Sequence, residues 1–135
     1  MHPIPDVLKE LADRIVAELW GDVPPWHTVL VNRYRPGKAR LGLHQDRRED
    51  PAVLQLGSPV LTVSLGAACI FQLGGFRPED EVQDVVLSSG DVFLFGGPSR
   101  LRFHGVRELL DHRPPFLDEH ERISLTLRQV EPLGE

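Results

Sequence analysis

Between Pro5 and Leu19, the apolar residues Leu8, Leu11, Ile15 and Leu19 recur at helical spacing. Val7 and Val16 widen the stripe, and polar residues fill the opposite side. The pattern predicts one amphipathic helix over about 5–19, laid by its apolar stripe on the outside of another layer. Pro24-Pro25 cannot continue it, since proline removes an amide donor and clashes with the preceding turn. The period then becomes that of strands. Thr28 to Arg35 and Arg40 to His44 read as strands around the turn pair Pro36-Gly37. Arg47 to Ser58 is polar, has no clear period and reads as a loop. Val60 to Leu65 and Cys69 to Leu73 are strands broken at Gly66, followed by a charged loop from Arg77 to Asp84. Val85 to Leu87 and Val92 to Phe95 flank Ser88-Ser89-Gly90-Asp91, which reads as a hairpin turn. Leu101 to Val106 is a further strand, Asp111 to Glu121 a proline-containing charged loop, and Arg122 to Arg128 the last strand.

One helix followed by many short strands at turn-punctuated intervals predicts a mainly β fold, an antiparallel sandwich of the jelly-roll kind with an N-terminal packing helix. The 135 residues suffice for one domain, expected over 1–135, with its β core over about 28–130. Hydrophobic residues at 41% and charged residues at 26% are ordinary for a soluble protein, and no apolar run reaches bilayer-spanning length. No membrane partner is therefore expected. The first residues lack a basic segment followed by an apolar block, so a secretory leader is not expected either. Cys69 is the single cysteine and sits in an apolar stretch, which reads as a small buried side chain in a reducing cytoplasm. A net charge of −5 gives no overall attraction to nucleic acid and leaves room only for a local basic patch. A monomer is expected.

The chemistry concentrates in His44-Gln45-Asp46. On an extended backbone, residues two apart point to the same side, so this imidazole and carboxylate can grip one ion. His104 supplies a second imidazole. Two histidines and a carboxylate form the facial triad of non-haem iron(II) oxygenases, which leaves metal positions open for a bidentate cosubstrate and oxygen. His2, His27, His112 and His120 are the other histidines, and the last two lie among Asp111, Asp118, Glu119 and Glu121, the composition of a solvated acidic loop.

The last strand alternates. Ile123, Leu125 and Leu127 share one face, while Arg122, Ser124, Thr126 and Arg128 share the other. The polar face either meets solvent or lines an interior where both arginines hold anions. Guanidinium forks match carboxylates, and 2-oxoglutarate carries one at each end. The two arginine Cα atoms would lie roughly 20 Å apart, so both side chains would have to lean inward.

These residues sit in a longer order of short blocks. Asn32-Arg33-Tyr34, Pro36-Gly37 and Leu43-His44-Gln45-Asp46 are followed by Val63-Ser64-Leu65-Gly66, Ile70-Phe71-Gln72 and Gly74-Gly75. Gly90-Asp91-Val92, Gly96-Gly97, Ser99-Arg100-Leu101, His104-Gly105 and the Arg122 to Arg128 strand complete the series. From about Trp26 to Val130 the chain resembles the AlkB-type dioxygenases. The resemblance implies a double-stranded β-helix that holds Fe(II) on His44, Asp46 and His104. It implies that Arg122, helped by Asn32 and Tyr34, binds the distal carboxylate of 2-oxoglutarate, that Arg128 contacts the carboxylate nearer the metal, and that Ser124 stands where asparagine is often found. It further implies consumption of O2 and 2-oxoglutarate, with oxidative dealkylation of alkylated nucleic-acid bases releasing formaldehyde, succinate and CO2. The same oxidation of a small metabolite or a protein side chain is the alternative. Phe95 stands where a tryptophan can occur, and Arg48 where repair members carry an acidic residue that reads the base.

Few residues precede Asn32, so most of the family's nucleotide-gripping lid is expected to be missing and the pocket open. Single-stranded DNA or RNA is then the expected macromolecular partner, held weakly through phosphates by an arginine-lined mouth of Arg47, Arg48 and Arg100. Arg100 and Arg102 otherwise read as solvated strand charges.

Overall fold

The computed structural model describes residues 3–37, 40–110 and 120–133. Helix α1 (Asp6–Leu19) precedes β1 (Thr28–Tyr34) and β2 (Leu41–His44). A short helix α2 (Pro51–Leu56) leads to β3 (Val60–Gly66), β4 (Cys69–Leu73), β5 (Gln83–Leu87) and β6 (Val92–Phe95). A 3-10 turn (Gly97–Ser99) leads to β7 (His104–Leu109) and β8 (Arg122–Arg128). The strands form two four-stranded sheets, ordered β1-β8-β3-β6 and β2-β7-β4-β5. Every paired neighbour is antiparallel. This is a jelly roll, and no helix among the described residues is long and apolar enough to cross a membrane.

Alternation divides the first sheet into two faces. Leu61 and Leu127 turn outward and meet Ala12 and Val16 of α1 together with Trp26, all of them buried. The indole Nε1 donates to Asp13 Oδ1 at 2.7 Å, which ties the helix to the chain that leaves it. The apolar stripe read from the sequence is met only in part: Val16 is buried and Leu8 and Ile15 pack against the sheet, but Val7, Leu11 and Leu19 are exposed and Ala12, outside that stripe, is buried, because the helix turns the Ala12–Val16 side to the back of the sheet. The sheet's other face is left for the sandwich interior. One end of that interior is filled by Tyr34, Cys69, Phe71, Leu87 and Val106. The other end is left hollow and polar.

Four local readings are corrected. Residues 47–58 contain α2 rather than a plain loop. Asp50 caps the helix by accepting from the Ala52 amide at 2.8 Å, Pro51 opens it, and Gly57 closes it at φ 66°. Those signals stand in the sequence, but six residues are too few to show a period. Gly57 is also packed so closely that a Cβ would lie 2.6 Å from Gly97 Cα. Second, Ser88–Asp91 is not a hairpin turn. β5 pairs with β4 and β6 with β3, so the turn carries the chain between sheets. Third, β5 starts at Gln83, inside the segment read as a charged loop. Fourth, β7 runs over His104–Leu109 rather than residues 101–106, because Phe103 exchanges backbone hydrogen bonds with Gly74 and Gly75 in place of ladder partners. His104 therefore begins a strand instead of ending one.

Candidate metal and cosubstrate site

The hollow end is a cavity of about 390 Å³ between the two sheets. β2 and β7 bring His44 and His104 directly opposite each other across the ladder, with ring centroids 4.6 Å apart. Asp46 lies just beyond the end of β2. Its Oδ1 is 3.7 Å from His44 Nε2, and its Oδ2 is 3.9 Å from His104 Nε2. These gaps exceed hydrogen-bond length, yet the candidate ligand atoms all lie within 4.8 Å of one another. Each imidazole is oriented from behind. His44 Nδ1 is 2.9 Å from the Gly42 carbonyl and His104 Nδ1 is 3.1 Å from that of Arg102, so each Nδ1–H donates to a carbonyl and Nε2 keeps its lone pair. Burial pushes the His104 imidazole below its ordinary range, against the opposing pull of the Arg102 carbonyl and Asp46. A pre-oriented imidazole pair with one carboxylate fits a divalent iron-type ion and leaves one side of it open.

Asp46 is held from two directions. Arg100 Nη1 donates to its carbonyl oxygen at 2.7 Å, and Arg128 Nη2 lies 3.4 Å from its Oδ2. Glu49 joins the two arginines, with Oε2 3.3 Å from Arg100 Nη2 and Oε1 3.3 Å from Arg128 Nη1. Arg100 also donates through Nε to the Ser58 carbonyl at 2.9 Å. At 2% exposure, Arg100 is no solvated strand charge and no part of the mouth, which corrects the reading made from sequence. Charge alternation cannot reveal a role set by Glu49 and Asp46, which come from another part of the chain. Glu49 itself carried no signal in the sequence. Arg102 instead donates through Nε to the Gly74 carbonyl at 2.7 Å.

The polar face of β8 forms the cavity floor. Arg122, Ser124, Thr126 and Arg128 all line it, and the first three are buried. Arg122 donates through Nη2 to Ser64 Oγ at 3.0 Å, and its guanidinium carbon stands 5.1 Å from the centre of the Tyr34 ring. Its Nε is buried without a hydrogen-bond partner, and among the described residues no carboxylate forms an ion pair with it. A guanidinium in that state calls for an anion. Asn32, opposite Ser124 in the β1–β8 ladder, lines the same space. Ser64 escaped the sequence reading because nothing local distinguishes it from any strand serine. Thr62 Oγ1 and Thr126 Oγ1 meet at 3.1 Å beside it.

The remaining candidates lie elsewhere. His27 Nδ1 accepts the Val130 amide at 3.1 Å, and His120 Nε2 donates to the Leu110 carbonyl at 2.7 Å. His2, His112 and most of the acidic loop fall outside the described residues. Cys69 is fully buried, and burial raises its thiol pKa against the pull of Arg122.

Comparison with known proteins agrees with this geometry. The sequence profile of the 2OG-Fe(II) oxygenase superfamily matches residues 1–128. An alpha-ketoglutarate-dependent dioxygenase AlkB homolog of Caulobacter vibrioides is 44% identical over 135 residues, covering 96% of this chain and 56% of that protein. Arabidopsis thaliana ALKBH1D, named a DNA N(6)-methyladenine demethylase, is 38% identical over 88% of this chain and 27% of its own length. The solved structure of OsALKBH1 superposes with a TM-score of 0.82 at 34% identity, covering 93% of this chain and 66% of that one. The chain spans about half the length of the Caulobacter relative, and less of the plant protein.

Proposed function

Because this chain belongs to the 2OG-Fe(II) oxygenase superfamily, in its AlkB branch, we propose that it oxidatively dealkylates alkylated nucleic-acid bases, with His44, Asp46 and His104 holding Fe(II). The observation that carries this reading is the buried Arg122, unpaired with any described carboxylate, in the same cavity as the three candidate ligands. Arg122 binds the distal carboxylate of 2-oxoglutarate, with Ser64 and Tyr34 fixing its fork and Asn32 and Ser124 beside it. Arg128 serves the carboxylate nearer the metal while it holds Asp46 in place. Phe71 and Phe95 wall the cavity and keep water from the reacting groups. When bound, the Fe(II) centre with O2 and 2-oxoglutarate supplies the oxidation: one oxygen atom leaves in succinate beside CO2, and the other converts an N-methyl group to formaldehyde and an N–H. The protein's part is to bind and orient the reactants and to exclude water. The test is formaldehyde and succinate release from methylated oligonucleotides by the Fe(II)-loaded protein. Equal release of both supports the reading. Succinate without formaldehyde on every oligonucleotide overturns it in favour of a metabolite or protein side chain.

A further inference from the structure

The charges lining the cavity are lopsided. Arg47, Arg48, Arg122 and Arg128 face one carboxylate, that of Asp46. Among the described residues, the one other acid in contact with this group, Glu49, lies behind the cavity and is itself shared with buried Arg100. Divalent iron and dianionic 2-oxoglutarate cancel in charge, so the excess of guanidinium survives loading. The chain as a whole carries −5, so this excess is local rather than a reflection of a basic protein. A concave site with low-dielectric walls focuses such a field.

At the rim, Arg47 and Arg48 are exposed. Among the described residues, Arg47 makes one hydrogen bond, from its Nη1 to Gln45 Oε1 at 3.3 Å, and Gln45 is in turn fixed to the Leu101 carbonyl at 2.7 Å. Arg48 makes no hydrogen bond or ion pair among the described residues. Two leucines, Leu30 of β1 and Leu41 of β2, flank the same opening at 48% and 36% exposure. The mouth thus offers apolar contact and exposed cationic groups, with no acid at the rim among the described residues.

We propose that this cavity selects alkyl groups on electrically neutral bases and rejects bases that alkylation has made cationic, with Arg48 as the discriminating residue and Arg47 holding the backbone phosphate. The inference rests on the dealkylation reading above and names its substrate class. A base enters between the leucines while its phosphate stays at the rim against Arg47, which leaves Arg48 to face the base. A methyl group on an exocyclic nitrogen leaves the base neutral. A methyl group on a ring nitrogen such as N1 of adenine or N3 of cytosine gives it a positive charge, which would enter the cavity beside Arg48 with no acid among the described lining residues except the proposed metal ligand Asp46. Like charges so placed discriminate strongly.

The test uses the full chain loaded with Fe(II) and 2-oxoglutarate, and single-stranded oligonucleotides of one sequence carrying N6-methyladenine, N1-methyladenine or N3-methylcytosine. N6- and N1-methyladenine differ in methyl position and in the proton that gives the N1-methylated base its charge, N3-methylcytosine repeats that charge on another ring, and Arg48→Glu separates charge from methyl position. The expected kcat/KM for formaldehyde release is at least tenfold higher for the neutral base than for either cationic one. Arg48→Glu should collapse or invert that ratio and Arg48→Lys should preserve it, whereas a merely structural role would lower all three rates together. Binding gives a second readout. For an unmodified strand followed by fluorescence anisotropy, Arg47→Ala should lower the slope of log affinity against log salt by about 0.7. Equal or faster turnover of the cationic bases, or a ratio unmoved by Arg48→Glu, overturns the inference and leaves dealkylation standing. Succinate without formaldehyde on all three strands overturns the dealkylation reading, and the inference with it.

Discussion

Asp46 and Arg122 have opposite needs, and those needs make their substitutions informative. Asp46 is one of three proposed ligands and also the anion beside Arg128. Asp46→Ala should abolish both iron retention and succinate release, measured by metal analysis after desalting and by product assay. Retained iron with the parent rate would remove it from the metal site. Arg122 is a buried cation whose proposed partner arrives from outside. Arg122→Ala should weaken 2-oxoglutarate binding by about 1.5–3 kcal/mol, the usual worth of a hydrogen bond to a charged group. That is on the order of tenfold or more in affinity. The reading is a titration, under nitrogen, of the visible band that develops when the oxo acid joins the iron. An unchanged curve would assign Arg122 a structural role. Arg122→Lys should recover little, because an ammonium cannot present the fork that Ser64 and Tyr34 hold in place.

At the scale of elements, the segment from β2 to α2 is fixed by charges supplied by the far side of the fold. Asp46 and Glu49 both lie on it, and Arg100 and Arg128 clamp it from the turn after β6 and from the end of β8. The Glu49 and Arg100 side chains are each 2% exposed, so their attraction is little screened and neither can turn to water. Removing one member of such a pair leaves the other buried and uncompensated. Glu49→Ala should therefore cost about 3–5 kcal/mol in stability, far more than the loss of a surface pair. Denaturant unfolding of the metal-free protein reads this directly. A change below about 1 kcal/mol would mean that Arg100 and Arg128 find other partners. Because Asp46 hangs from the same clamp, iron affinity should fall with stability in this variant, although Glu49 is no ligand.

For the whole molecule, α1 and the cavity are two consequences of one sheet. The outer face of β1-β8-β3-β6 is apolar and covered by the helix, and the inner face can then be polar because it needs no second layer of core at that end. The helix thus supports the site without touching it. Ala12 is fully buried on the sheet, while Val7 is 77% exposed on the opposite side of the same helix. Ala12→Asp should leave little folded protein, because it inserts both volume and an unpaired charge into a closed contact. Val7→Asp should stay within about 0.5 kcal/mol of the parent. Circular-dichroism melts of the two variants distinguish them, and comparable melting would show that α1 is not part of the cooperative unit.

The sequence by itself determined the elements whose periods are long enough to read, among them helix α1, though not which of its apolar residues meet the sheet, and the alternation of β8, and with them a jelly roll. It also placed His44 and Asp46 together, since two residues apart on an extended chain is a local fact. Short elements escaped: α2 has its cap, proline and terminal glycine but only six residues. Pairing was decided by tertiary structure alone. The Ser88–Asp91 turn has hairpin residues, yet it joins two sheets because β5 and β6 find their partners in β4 and β3. The same holds for buried charge. Arg100 contacts a carbonyl 54 positions away, Arg122 a hydroxyl 58 away and Arg128 a carboxylate 79 away. Nothing near any of these arginines in the chain distinguishes the buried, carboxylate-paired Arg100 from the buried, anion-poor Arg122 or the exposed Arg48. A charge acquires its meaning from the dielectric and the partners around it, and these exist only once distant segments have met.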